Sequence, residues 1–215
     1  QLPQSLVADN VNFRNILING DMSIAQRATS TSSITGTDAT CDRWRFAASS
    51  AGTWTISQST TVPTGQGFAT SFKADCTSAN TSLSAGSILR FSQFVEGQNI
   101  QYLKKGTSSA ESLTLSFWVR SAKTGTYILN IKDRDNSRIY SQSYTISSAD
   151  TWEKKTITYA GDTTNPFDND NDWSLEVHFW LAAGSTYTSG TLTSGWESNT
   201  VANLAVGQVN LADST

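Results

Sequence analysis

Charge is what this sequence has least of. Charged side chains make up only 15% of its 215 residues, and the formal net charge is -3. An ordinary globular domain carries about a quarter. The 15 basic residues are scattered, and the densest pairs, Lys104-Lys105 and Lys154-Lys155, are too small to form a basic stripe. That argues against nucleic acid as a partner. Long apolar runs are missing too, so no segment has the length of a membrane-spanning helix. The N-terminus shows no charged stretch followed by an apolar one, so no signal peptide is visible. There is one histidine, His178, and no Gly-x-Ser-x-Gly turn, which leaves a nucleophile triad without sequence support. The few glutamates are spread along the chain and suggest no acid/base pair of a glycosidase. The expectation is a protein that is not an enzyme. Two cysteines, Cys41 and Cys76, do not make a disulfide framework; they allow one bridge or two buried free thiols.

The place of the charges is taken by Ser, Thr, Asn and Gly, together with seven Trp, nine Phe and six Tyr. Aromatics at this level exclude a disordered chain. Thr and aromatic residues favour half-buried pleated surfaces, whereas Ser, Asn and Gly favour turns. The clearest strand runs from Leu113 to Arg120. Leu113, Leu115, Phe117 and Val119 share one face, and Thr114, Ser116, Trp118 and Arg120 the other. The stretch from Trp173 to Leu181 repeats the pattern, with Leu175, Val177, Phe179 and Leu181 inward and Ser174, Glu176, His178 and Trp180 outward. A two-residue period is the mark of a sheet with one face on a core. Further strand signals fall at 43–47, 53–57, 68–75, 127–133, 139–146 and 152–159. A strand at 88–95 fits period 2 badly, which suggests a bulge or a helical start. Trp44 and Trp54 read as core.

Residues 1–14 read as a lead-in segment, and 28–40, nearly all small and polar, as a loop. Residues 96–105 are the best helix candidate, with Glu96 near the start, Lys104 and Lys105 near the end and Gly106 as the cap. Many short strands with turns between them predict an all-β, antiparallel, jelly-roll-like β-sandwich with one short helix, spanning 15–215 as a single domain.

Two surface features could bind something. The Asp-rich loop holding Asp162, Asp168, Asp170 and Asp172 has alternating acids that could meet calcium, but Asp and Asn also simply favour turns, and no metal or other cofactor is expected. The aromatic residues offer the other feature. Sugar-binding sandwiches stack pyranose rings on exposed aromatics. Trp118 and Trp180 fall on the polar sides of their strands, beside Arg120, Glu176 and His178. Tyr187 and Trp196 lie in a loop-rich stretch that could line a site at the sandwich end. The alternative is that the two Trp cover a buried second sheet face.

Three sequence stretches carry a resemblance to a known group. One is Asn15 to Arg27 (NILINGDMSIAQR) followed by Cys41-Asp42-Arg43-Trp44. Another is Gln93 to Gly97 (QFVEG) leading into Leu115 to Arg120 (LSFWVR). The last is Asp162-Thr163-Thr164 leading into Trp173. In this order they resemble structural proteins of bacteriophages, especially phages of marine bacteria, that are tail fibre or virion proteins with a jelly-roll, carbohydrate-binding-module-like domain. The resemblance covers roughly residues 15–200. It implies a virion component, a tail fibre or receptor-binding domain that contacts host surface glycan. Its partners would be other virion subunits, and a homo-oligomer, most naturally a trimer, would multiply weak sites. The alternative within the same group is a purely structural capsid decoration or tail assembly protein. Members of the group continue into one more closing strand, so the domain is expected to lack its last strand and to leave a sheet edge for a partner.

Overall fold

Among its described residues the chain forms twelve strands. The structure is a computed structural model and describes residues 15–213; the lead-in segment 1–14 lies outside them. The strands are β1 (Ser30–Ile34), β2 (Thr37–Asp38), β3 (Trp44–Ser49), β4 (Thr53–Ser59), β5 (Ser71–Ser78), β6 (Ile88–Glu96), β7 (Leu113–Val119), β8 (Gly125–Asp133), β9 (Arg138–Ile146), β10 (Glu153–Tyr159), β11 (Trp173–Ala183) and β12 (Glu197–Ser198). Among the described residues there is one short α-helix, α1 (Ser185–Thr188). Seven strands form one antiparallel sheet in the order β12-β9-β8-β11-β6-β3-β2. Two small sheets, β1-β4-β5 and β10-β7, form the second layer. The chain passes back and forth between the layers, which gives the expected jelly-roll-like, all-β sandwich. The large sheet ends at both edges in strands of two residues, which blunts edge-to-edge pairing.

Two cores fill the sandwich. Under β7-β10 lie Val95, Tyr127, Leu129, Ile131, Tyr144, Ile157, Tyr159, Leu175 and Val177, with Phe117 set edge-on to Tyr144 and Phe179. Under β1-β4-β5 lie Phe46, Trp54, Ile56, Leu89 and Ala182. Trp44 and Trp54 are buried as expected.

Three local expectations are corrected. Residues 28–40 are not a plain loop: β1 pairs with β4 and β2 with β3. Backbone ladders hold these short strands without an apolar period of their own. Residues 96–105 do not form an α-helix. The strand runs on to Glu96, and two short 3₁₀ turns follow at Gly97–Asn99 and Gln101–Leu103, ended by Lys104 in the left-handed region (φ 50°). The carbonyl of Asp168 packs so closely on Gly97 that a Cβ there would overlap it. That contact, which the sequence does not announce, fixes the bend. The irregular apolar spacing of β6 is neither a bulge in β6 nor a helical start. Its pairing with β3 is regular, and both faces of the strand carry apolar residues: Leu89, Phe91 and Val95 on the core side, Ile88 and Phe94 on the other.

The second face of the large sheet is covered over part of its area. Ile128 and Trp180 pack there beneath Tyr187, Leu192, Leu204 and Ala205. The tail also caps β8 where β11 stops pairing with it. Val209 donates its N–H to the Thr126 carbonyl, and the Gln208 side chain accepts from the Ile128 N–H. The rest of this face is open, and the candidate site lies there.

Candidate functional site

Strand register sets what meets on the open face. Arg45, Ser92, His178 and Asn130 are aligned across β3, β6, β11 and β8. A second row aligns Phe94, Glu176 and Lys132, and a third places Arg90 beside Trp180. Residues paired across strands share a face, so three rows of polar and aromatic side chains converge. They enclose a cavity of about 300 Å³, completed by Arg134, Trp173, Asn199 and Leu204.

Its floor is a continuous hydrogen-bonded chain. Arg90 donates to His178 Nδ1 at 2.9 Å, and His178 Nε2 lies 3.0 Å from Glu176 Oε2. Lys132 Nζ reaches the same carboxylate oxygen at 3.4 Å. Because arginine can only donate, Nδ1 must accept, which puts the ring proton on Nε2, pointing at Glu176. Burial of the ring lowers the His178 pKa to about 4; the Arg90 charge adds to this, against the opposing pull of Glu176. His178 is therefore neutral near pH 7. Burial works against the Glu176 charge as well, yet the His178 hydrogen bond and the Lys132 ammonium outweigh it and hold the carboxyl down to about 2. Glu176 is thus a fixed anion whose charge is already engaged.

The rim is aromatic and cationic. Trp173, at the start of β11, is 38% exposed and stacks on Phe94 with ring centroids 4.7 Å apart. The Arg45 guanidinium lies over both rings, at 5.2 Å from Phe94 and 5.7 Å from Trp173, and Arg134 lies over Trp173 at 5.3 Å. Asn199 Oδ1 is shielded from solvent in the cavity wall with no hydrogen-bond partner among the described residues. It is an acceptor in need of a donor. Glu176 is the one carboxylate among the residues lining the cavity, so no second carboxylate faces it there.

The residues singled out in the sequence are distributed unevenly. Glu176 and His178 are in the cavity, though buried in its floor and not exposed to solvent. Trp180 has no exposed surface, lies 5.4 Å from the Tyr187 ring, and is part of the covered region. The expected outward platform of Trp118 and Trp180 does not form. Trp118 and Arg120 project from β7 in the opposite layer, where Arg120 pairs with Asp150 at 3.2 Å. Trp196 packs against Tyr140 and donates to the Ala160 carbonyl, away from the cavity. Arg45, Arg90, Lys132, Arg134 and Trp173 were missed. Their one sequence signal is that Arg45, Arg90 and Lys132 hold polar-side positions of their strands.

The Asp-rich loop is tied into the protein. Asp162 accepts from Arg138 Nε at 2.7 Å and lies 3.2 Å from the buried ammonium of Lys105, which also meets Asp133 at 2.6 Å. Asp170 and Asp172 bond the backbone N–H groups of Asp172 and Trp173. Among the described residues, no three His, Cys, Asp or Glu side chains converge as a metal site. Cys41 and Cys76 are free thiols and form no bridge, but only Cys41 is buried; Cys76 is half-buried.

No protein-family model matches the sequence, and no curated protein matches it. Among solved structures, the chain is similar to the enzymatically active domain of tailspike protein 4 of bacteriophage CBA120, with a TM-score of 0.45 and 18% identity. The match covers 79% of this chain but only 19% of that one, so the chain spans about a fifth of the length of that tailspike domain.

Proposed function

We propose that this domain is the glycan-contacting part of a phage virion appendage, a tail fibre or similar receptor-binding structure, and that the cavity on the open sheet face is its binding site. The observation that carries the reading is the exposed Trp173 ring, stiffened by Phe94 and flanked by Arg45 and Arg134, above a polar floor. Such a ring can stack on the apolar face of a pyranose, while the guanidinium groups meet hydroxyls and ring substituents. The biological setting is suggested by the resemblance of the stretches at 15–27, 93–97, 115–120 and 162–164 to phage tail fibre and virion proteins. Single sites of this shallow kind bind weakly, and a homotrimer would raise avidity without new contacts.

A glycan array probed with the domain and with Trp173→Ala tests the reading. Binding by the wild type and its loss in the variant are expected. Absence of binding by the wild type would instead favour a structural role, in which another virion subunit covers this face.

A further inference from the structure

We propose that the site selects an anionic sugar, one bearing a carboxylate or a sulfate or phosphate ester. This rests on the glycan-binding reading and adds the class of glycan.

The chain is acidic overall, yet Arg45, Arg90, Lys132 and Arg134 all line this one cavity against the single carboxylate of Glu176. Glu176 offsets only one of these charges, that of Lys132, and its other partner is the neutral His178, so the three arginines remain in excess. Arg45 contacts no carboxylate among the described residues; its partners are the faces of Phe94 and Trp173. Stacked in this way, the guanidinium keeps its N–H groups free to fork onto a planar anion. Arg45 and Arg90 are near enough to repel one another, and a bound anion would relieve that repulsion. Arg134 has a competitor in Asp172 at 3.6 Å, but both are exposed, and surface pairs of this kind are weak. An acidic group beside a ring stacked on Trp173 therefore lies within reach of two guanidinium groups, Arg45 and Arg134, both held close to that ring.

The test is an array on which carboxylate-bearing and sulfate- or phosphate-bearing oligosaccharides are each printed beside their neutral counterparts, read at low salt and at about 0.3 M. The expected result is a preference of roughly tenfold or more for one acidic class, shrinking as salt rises. The class preferred identifies the acid. In Arg45→Gln/Arg134→Gln the acidic-to-neutral ratio falls toward one. In Lys154→Gln, a charge lost from the opposite layer, the ratio stays as in the wild type. Thermal melting checks that the variants fold. Neutral binding without acidic preference, or a preference that survives the double substitution, would overturn this inference and leave the glycan reading standing. No binding to any oligosaccharide would overturn both.

Discussion

Protonation of His178 is expected to destabilise the fold in a pH window whose upper part no other side chain shares. The ring is buried; Arg90 faces Nδ1, Glu176 faces Nε2, Lys132 lies beyond, and Phe94 stands edge-on at 6.0 Å. Adding a proton would turn Nδ1 into a donor pointing at a donor. The folded pKa is about 4 against an ordinary 6.5. Below pH 6.5 the unfolded chain takes up a proton that the native state refuses, so stability falls as pH falls and the loss is complete near pH 4. Well below pH 6.5 each pH unit costs about 1.4 kcal/mol, and the drop from pH 6.5 to pH 5 is about 1.6 kcal/mol. The chain has a single histidine, and Glu176 titrates only below its ordinary 4.5. The upper part of the window therefore reports on His178 alone. Urea unfolding followed by tryptophan fluorescence at pH 7.5, 6.5, 5.5 and about 5 gives the curve. His178→Gln, which can still bond its neighbours but cannot titrate, should flatten it. Parallel curves for the two proteins, or a wild type equally stable at pH 7 and pH 5, would refute the reasoning.

Other perturbations test other parts of the structure. Lys105 is buried against Asp133 and Asp162 and donates to the carbonyls of Thr164 and Asn165, so Lys105→Met should cost about 3–5 kcal/mol in urea melts by stranding buried carboxylates. A loss under 1 kcal/mol would mean that Arg138 alone suffices. Trp180→Ala should cost about 3–5 kcal/mol because the ring is fully buried between the sheet and the tail; were Trp180 an exposed platform, the same change would be nearly neutral. Burial raises the Cys41 thiol to about 11, whereas Cys76 is only partly covered. A disulfide reagent at pH 8 should therefore label Cys76 in the native protein and reach Cys41 only after unfolding. Equal labelling of both would contradict the burial.

The two strands with strict alternation were legible because each buries one clean face: Leu115 and Phe117 in β7, Leu175 and Val177 in β11 all reach the core as read. The other face of β11 misled for a physical reason. Glu and His are usually solvated, so Glu176 and His178 read as outward, yet Arg90 and Lys132 from neighbouring strands satisfy them under cover. No local pattern encodes a partner 88 residues away. The 96–105 segment has charges ordered as in a helix, but a bend fixed by the Asp168 backbone against Gly97 overrides them. β1 was illegible because Ser30–Ile34 has almost no apolar content to carry a period. The site suffered most, because Arg45, Arg90, Lys132 and Trp173 come from four strands and become neighbours only through register.

The buried polar chain bears on how the cavity is built. Hydrogen-bonded charges in a shielded floor contribute little to stability compared with apolar residues of the same volume. What Arg90, His178, Glu176 and Lys132 supply is position. Glu176 draws the Lys132 ammonium toward the floor, and neutral His178 relays the hold on Arg90 without placing a second fixed anion in the cavity. A charged histidine would repel Arg90, and a carboxylate in its place would cancel the cationic surplus. The low pKa of His178 is thus consistent with the same arrangement that leaves Arg45 and Arg134 unbalanced at the rim, where the exposed Trp173 ring supplies the stacking surface.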